Sequence, residues 1–240
     1  MKWVPDKTGR FAQRPHYSPN ELEAECEKVV STFLRKRYGQ VSFPISTDDL
    51  TLLIEEKADF DSFADLSGEG SDVEGVTEFR LGKRPNVRIA SALGEAHSRE
   101  NRLRTTLTHE YGHVHFHQFM FEDQLRAPQL FPDPTQSSTN RCHRHTIDTA
   151  PVSDWLEWQA GYACGAFLMP LTALEKEVRA FCTGRGCSFS GVGSLTEDGT
   201  ALIDRVRHAF QVSGDAARVR LIKRGVLVDG RASGTRDLLT

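Results

Sequence analysis

The sequence predicts an α+β fold in which helices pack on a small sheet. Several segments carry apolar residues at three- and four-residue spacing after a capping residue, which is the pattern of amphipathic helices. Two short apolar segments on either side of a turn indicate a β-hairpin. With 240 residues, the chain has room for one good-sized domain and a small extension.

The composition excludes several classes of protein. A net charge of −3 gives no general attraction to nucleic acid or to an anionic membrane. No apolar run approaches the roughly 20 residues that cross a bilayer, and the first residues lack the apolar core of a signal peptide. The five cysteines show no tight pairing pattern, so we expect free thiols and a cytoplasmic location.

Three regions precede the central motif. Residues 1–18 are polar and contain two prolines, and we expect them to form a loose arm. A helix is predicted over residues 18–37, because Ser-Pro-Asn-Glu at its start provides a capping box, and a second helix over 45–58. Residues 59–75 are acidic and rich in glycine and serine, which favours a loop that contains at most a short strand.

A hairpin is the predicted sheet element. Strands at 76–81 and 87–90, joined by a turn at 83–86, lead into the helix that carries the central motif. Such a hairpin has an exposed edge, and an exposed edge can hold an extended peptide by main-chain hydrogen bonds. The strand at 87–90 could therefore present a substrate, unless the hairpin is only scaffold.

The central motif is His109-Glu110-x-x-His113, within residues 102–114. On a helix, residues four apart lie on one face, so both imidazoles can reach a single metal ion. Glu110 points beside that metal, where it can take a proton from a water molecule. Gly112 costs a helix interior about 1 kcal/mol, which indicates close packing of another element against that turn.

A catalytic zinc ion takes three protein ligands and leaves one position for water. Glu157 is the better candidate for the third, because it lies alone on a small-residue-rich apolar helix predicted over 153–169. His115 and His117 are expected at the surface or as outer partners of the ligands. The rival ligands are Cys142, His143 and His145, which lie in the irregular section predicted over residues 118–153. The alternative interpretation of this section is a polar loop that binds no metal.

Two motifs in order carry a family resemblance. Residues 102–113 read Arg-x-x-x-Thr-Leu-x-His-Glu-x-Gly-His, and residues 157–170 begin Glu-x-x-Ala and end Leu-Met-Pro. Together they resemble the ImmA/IrrE family of zinc metallopeptidases, over roughly residues 76–170. Gly161 stands where that family commonly has asparagine, and the connection between the two motifs is longer than usual, which puts the choice of substrate in doubt.

The resemblance implies a minimal zincin-like fold with helices packed on a small mixed sheet. It also implies that His109, His113 and Glu157 hold Zn²⁺ and that Glu110 is the general acid/base. Known members cleave or inactivate helix-turn-helix repressors of the Xre type, in mobile elements or stress responses. The expected partner is therefore an Xre-family repressor, and the expected activity is that of a metallopeptidase.

The predicted domain organisation is an arm at 1–18, a metallopeptidase domain at 19–172 and a helical extension at 173–240. The extension contains predicted helices at 197–210 and 214–224 and a short strand, an order that resembles a winged helix-turn-helix. Over residues 201–240 eight basic and four acidic residues give a local excess of +4, so the extension could contact DNA or the repressor. The preferred interpretation is that its helices complete the packing.

Two functions remain open at this point. The first is a zinc endopeptidase that acts on a regulatory protein. The second is a metal-binding regulatory or antitoxin-associated module that binds a repressor or DNA without cutting it. Glu110 favours the enzyme, because a site that only holds metal does not need it.

Overall fold

A computed structural model describes residues 1–94, 99–126, 137–143 and 154–230. Helices and strands mix in an α+β fold, as predicted. The chain divides into two compact units, the first made of Met1–Val41 and Ile45–Leu168, the second of Ser42–Pro44 and Met169–Thr240. Among the described residues, none of the helices has the length and apolarity that a membrane span requires.

The first unit begins with two paired strands where the sequence predicts a loose arm. β1 (Lys2–Pro5) and β2 (Gln13–His16) are antiparallel, with Lys2 opposite His16. These strands are four residues long and too short to show an alternating pattern. Their order comes from packing against distant segments, such as the edge-to-face contact of Phe11 with Phe121 at 5.2 Å, which local composition does not reveal.

Two helices follow, and their capping residues place them where the sequence predicts. α1 (Pro19–Tyr38) starts with a complete capping box at Ser18 and ends at Gly39 with φ +73°, the left-handed conformation that glycine adopts readily. α2 (Thr47–Glu55) is capped by the Ser46 side chain.

The sheet has four strands in the order β3-β5-β4-β6. These are β3 (Asp59–Ala64), β4 (Val73–Arg80), β5 (Asn86–Ala90) and, after two helices, β6 (Ser137–His143). β3 runs parallel to β5, whereas β5 and β6 both run antiparallel to β4. β4 and β5 are the predicted hairpin, and the sheet is mixed.

The topology contradicts one prediction and revises another. β5 pairs with β3 on one side and β4 on the other, so the proposal that residues 87–90 present a substrate at a sheet edge is wrong. Within the described part of the irregular section predicted over 118–153, the structure has instead the end of a long helix and the strand β6, which pairs with β4 at one end of the strand order. The sequence of β6, Ser-Ser-Thr-Asn-Arg-Cys-His, lacks apolar alternation, and it becomes a strand because β4 offers it a partner.

Two packed helices carry the central motifs, and the first of them lies against the sheet. After the short α3 (Ser91–Gly94), α4 (Glu100–Arg126) extends well beyond the predicted motif helix, and α5 (Trp155–Leu168) packs along it. The two backbones approach closely at Gly112, where an added Cβ would lie 3.2 Å from the Ala160 Cα. The close packing that Gly112 and the small residues of α5 predict is therefore confirmed.

The second unit is mainly helical. Its elements are α6 (Leu171–Arg185), β7 (Val192–Gly193), α7 (Glu197–Phe210), α8 (Gly214–Lys223) and β8 (Leu227–Val228), with β7 and β8 parallel. Gln211, with φ +52°, turns the chain between α7 and α8. The thiols of Cys182 and Cys187 meet at the end of α6, where the Cys187 N–H donates to the Cys182 carbonyl.

Candidate metal centre

His109 and His113 project from one face of α4, as their four-residue spacing requires. Both side chains are buried, with exposed fractions of 0% and 1%. Their Nε2 atoms lie 3.1 Å apart, and the rings meet edge to face. Two imidazoles therefore direct the same nitrogen to one point beneath the sheet.

Glu157 reaches the same point from the first turn of α5. Its Oε2 lies 3.1 Å from His109 Nε2, and its Oε1 lies 3.2 Å from His113 Nε2. The structure thus brings together the three residues that the sequence predicts as ligands, and their donor atoms form a group of metal-binding geometry.

This donor set fits a divalent metal ion. Ligands about 2.0–2.1 Å from a tetrahedral metal lie about 3.3 Å from each other, close to the separations found here. The Nε2 atoms of His109 and His113 lie 3.1 Å apart, and each also lies within 3.2 Å of an oxygen of Glu157, so the donor atoms converge on a single point that one metal ion could occupy. A metal ion satisfies the lone pairs of all three side chains at once. Nitrogen and carboxylate donors are compatible with zinc and with other divalent metals.

Without a metal, charge holds the group together. Burial alone would raise the pKa of Glu157, but His113 and His109 hold it well below its ordinary value. Burial opposes protonation of His113, yet Glu157 and Glu110 together raise the pKa of His113. In the metal-free site the Glu157 carboxylate therefore favours a proton on His113, and a bound metal ion would take the place of that proton.

Glu110 lies beside the ligand group and is fully buried. Thr77 of β4 donates a hydrogen bond to its Oε2 at 2.5 Å, whereas Oε1 has no partner among the described residues. Burial raises the pKa of Glu110, although His109, His113 and Thr77 act in the opposite direction. One carboxylate oxygen is thus anchored, and the other is left free to exchange a proton.

Gly75 makes room for this carboxylate. An added Cβ at Gly75 would lie 2.5 Å from Glu110 Oε1 and 2.9 Å from the Thr106 methyl group, so only glycine fits at this position of β4. Thr77 lies two residues further along the same strand and faces the same side of the sheet. β4 therefore supplies both the anchor and the space for Glu110.

A line of hydrogen bonds extends from His113 away from the ligand group. His113 Nδ1 lies 3.1 Å from His117 Nδ1, and His117 Nε2 lies 3.1 Å from Gln159 Oε1. The Gln159 amide nitrogen donates to the Pro15 carbonyl at 3.0 Å. His117 is thus a buried outer partner of a ligand, one of the two places expected for it, whereas His115 contacts Glu25 and Lys57 instead.

The rival ligands behave differently. Cys142 is buried on β6, opposite Gly75, and its sulfur groups with His109 and Glu110 rather than with His113 and Glu157. Burial and the neighbouring carboxylates raise the pKa of the Cys142 thiol well above its ordinary value, so it stays protonated. The side chain of His143, and His145 as a whole, lie outside the described residues.

Several residues of the site escape sequence reasoning. Arg10, between β1 and β2, donates to Asn140 Oδ1 of β6 at 2.8 Å and interacts electrostatically with Glu157. Neither Arg10 nor Pro15 carries a sequence signal, because both depend on how the N-terminal hairpin docks. Gln159 carries a weak one, since it is a second polar residue on the apolar helix that holds Glu157.

The arrangement combines three converging donor atoms that could hold a metal ion with a buried carboxylate beside them, one oxygen of which has no partner among the described residues. Neither a scan against protein-family models nor a search of curated proteins finds a match to this chain.

Proposed function

We propose that this chain is a zinc-dependent endopeptidase of the ImmA/IrrE type with a minimal zincin-like fold. The observation that carries the proposal is the placement of Glu110 beside the donor group of His109, His113 and Glu157. A bound zinc ion in such a site lowers the pKa of water and polarises the scissile carbonyl. The α+β architecture, with two packed ligand-bearing helices and a small mixed sheet, is compatible with that fold.

The residues of the chain divide the work of peptide hydrolysis. His109, His113 and Glu157 hold the metal ion. Glu110 Oε1 accepts the proton of the attacking water and later passes it to the leaving amine. Thr77 keeps the other oxygen of Glu110 in place, so that the carboxylate meets the water in one orientation. The buried setting favours the transfer, because a carboxyl with a raised pKa is a stronger base.

The substrate main chain is proposed to align along β6 rather than β5. Among the described residues, β6 has a strand partner only on its β4 side. Asn140 and Cys142 of β6 lie opposite Thr77 and Gly75, the two positions of β4 that surround Glu110. An extended peptide that pairs with the outer side of β6 therefore runs past the proposed base.

The proposed substrate is a regulatory protein, an Xre-type helix-turn-helix repressor, as the motif resemblance implies. The second unit gives only weak support to direct DNA binding, because several arginines behind its charge excess are already engaged. Arg205 pairs with Glu177 at 2.8 Å, and Arg218 with Asp229 at 2.6 Å. Arg220 is buried and donates to the Met169 carbonyl at 2.8 Å. We therefore retain the interpretation that these helices complete the packing of their unit.

The alternative function is a metal-binding regulatory module that holds a repressor or DNA without cutting it. Such a module needs the three ligands but has no use for Glu110. A buried carboxylate with an unpartnered oxygen is costly to maintain. Its presence, together with the glycine that makes room for it, favours the enzyme.

The decisive test is co-expression with an Xre-type repressor encoded beside this chain. Wild-type protein is expected to yield a discrete cleavage product, and Glu110→Gln is expected to abolish it while the purified variant keeps its metal in elemental analysis. Glu122→Gln, a change on the surface of the same helix, serves as the matched control and should cleave normally. Cleavage by metal-loaded Glu110→Gln would exclude the proposed mechanism. Binding of the repressor without cleavage by the wild type would favour the alternative.

A further inference from the structure

The hydrogen-bonded line behind His113 consists of three buried side chains and one carbonyl group. His117 is 0% exposed and Gln159 is 1% exposed, so water does not compete for their hydrogen bonds. The line connects α4 to α5 and ends on β2, at the Pro15 carbonyl. The Trp155 ring stands edge to face against the His117 ring at 5.6 Å and restricts its rotation.

The positions of the protons along this line follow from its last member. A carbonyl oxygen only accepts, so the Gln159 atom facing Pro15 is the NH₂ group and the atom facing His117 is the amide oxygen. The amide oxygen of Gln159 can likewise only accept a hydrogen bond, so the nitrogen that faces it, His117 Nε2, must carry a proton. In neutral His117 the remaining nitrogen, Nδ1, is then an acceptor, and His113 Nδ1 must be the donor to it.

We infer that His117 and Gln159 are positioning residues that set the tautomer of His113. With its proton on Nδ1, neutral His113 has a bare lone pair on Nε2, the atom that faces His109 and Glu157. The inference depends on the proposed metal site but not on peptidase activity. The outer partner of a metal-binding histidine is commonly a carboxylate or a backbone carbonyl, whereas here it is a neutral imidazole whose own orientation is set by an amide.

The choice of a neutral partner has a physical consequence. A carboxylate at position 117 would add a third carboxylate to Glu157 and Glu110, and the buried setting penalises such a charge. An imidazole accepts the same hydrogen bond without a charge. The two ligand histidines also differ, because His109 Nδ1 has no hydrogen-bond partner among the described residues. Of the two histidines, His113 is therefore the one whose ring is oriented by a hydrogen bond at the nitrogen that faces away from the metal site.

The direct test is nuclear magnetic resonance of wild-type protein labelled with ¹⁵N-histidine and loaded with Zn²⁺. A scalar coupling across the N–H···N hydrogen bond between His113 Nδ1 and His117 Nδ1 is expected, with the shared proton on His113. The second nitrogen of His117 should also be protonated. A proton on His117 Nδ1, or no coupling between the two rings, would overturn the inference. No variant is needed for this measurement.

Zinc affinity, measured by competition with a fluorescent chelator, gives a second readout. His117→Phe keeps an aromatic ring but removes the acceptor, and it is expected to weaken zinc binding about 10- to 100-fold. Gln159→Leu should also weaken binding, because it removes the oxygen that accepts the proton of His117. His115→Phe, on the same helix but outside the line, is the control and should bind zinc normally.

The outcomes separate this inference from the proposed function. Wild-type affinity in folded His117→Phe would refute the positioning role. A wild-type protein that binds no zinc would refute both the metal site and the inference. Zinc binding with the predicted coupling, but without repressor cleavage, would leave the positioning role established and the peptidase proposal refuted.

Discussion

Replacing Gly112 with alanine tests how closely the two ligand-bearing helices must approach. The added Cβ would lie 3.2 Å from the Ala160 Cα and 3.4 Å from the Ala160 carbonyl oxygen. Both are backbone atoms, so α4 and α5 must separate by a few tenths of an ångström to accept it. Gly112 lies between His109 and His113, and Ala160 lies one turn beyond Glu157. The separation is therefore transmitted to the donor atoms.

The expected change in the free energy of unfolding is the difference between two opposing effects. Alanine favours the helix over glycine by about 1 kcal/mol, whereas overpacking a close contact costs about 1–3 kcal/mol. Metal-free Gly112→Ala should therefore lie between unchanged and about 2 kcal/mol less stable than wild type. A separation of a few tenths of an ångström uses much of the roughly 0.5 Å of displacement that a ligand set tolerates, so zinc affinity should fall by up to about 10-fold.

Urea unfolding of the metal-free protein and chelator competition measure the two quantities separately. Gly184→Ala provides the matched control, since it replaces another helical glycine whose added Cβ meets no atom within 4 Å. That variant should gain up to about 1 kcal/mol of stability and keep its zinc affinity. If Gly112→Ala showed the same gain and the same affinity, the helices would have slack at this contact, and the reasoning would be wrong.

Two further predictions concern the base and the ion pair. Gly75→Ala should lower the rate of substrate cleavage about 100-fold while the protein keeps its zinc, because the added Cβ would lie 2.5 Å from Glu110 Oε1 and displace that oxygen by about 1 Å. The control is Gly68→Ala, whose added Cβ meets no atom within 4 Å, and this variant should cleave at the normal rate. Because the folded protein raises the pKa of His113, protonation of His113 stabilises the metal-free protein at pH values below 6.5, the ordinary pKa of histidine. This contribution to stability is lost as the pH rises. We therefore compare the free energies of unfolding in urea of the metal-free wild type and of metal-free Glu157→Gln. The wild type should be the more stable protein at about pH 5.5, and its advantage should be smaller at about pH 8.5. An advantage that does not change with pH would contradict an ion pair between His113 and Glu157.

Much of the candidate metal-binding group could be predicted from the sequence because helical spacing is local. Four-residue spacing places His109 and His113 on one face whatever surrounds them. Glu157 could be predicted because one carboxylate on a helix of small apolar residues demands a partner. The starts of α1 and α2 were predictable for the same reason, since Ser18 and Ser46 cap them through neighbouring backbone groups.

What the sequence could not predict depends on partners far along the chain. β6 has a polar sequence and becomes a strand only because β4 lies beside it. β5 looks like the outer strand of a hairpin, and only its parallel pairing with β3 places it inside the sheet. The anchor at Thr77 and the space at Gly75 likewise acquire meaning only once β4 lies over α4.

The hairpin of β1 and β2 has a consequence for how the protein is made. Pro15 and its partner Gln159 are separated by 144 residues, so at about 5–20 residues per second a ribosome needs roughly 7–30 s to synthesise the second after the first. An isolated two-stranded hairpin is only marginally stable in water. β1 and β2 cannot complete this contact until α5 has been synthesised, and we expect them to be among the last elements to dock.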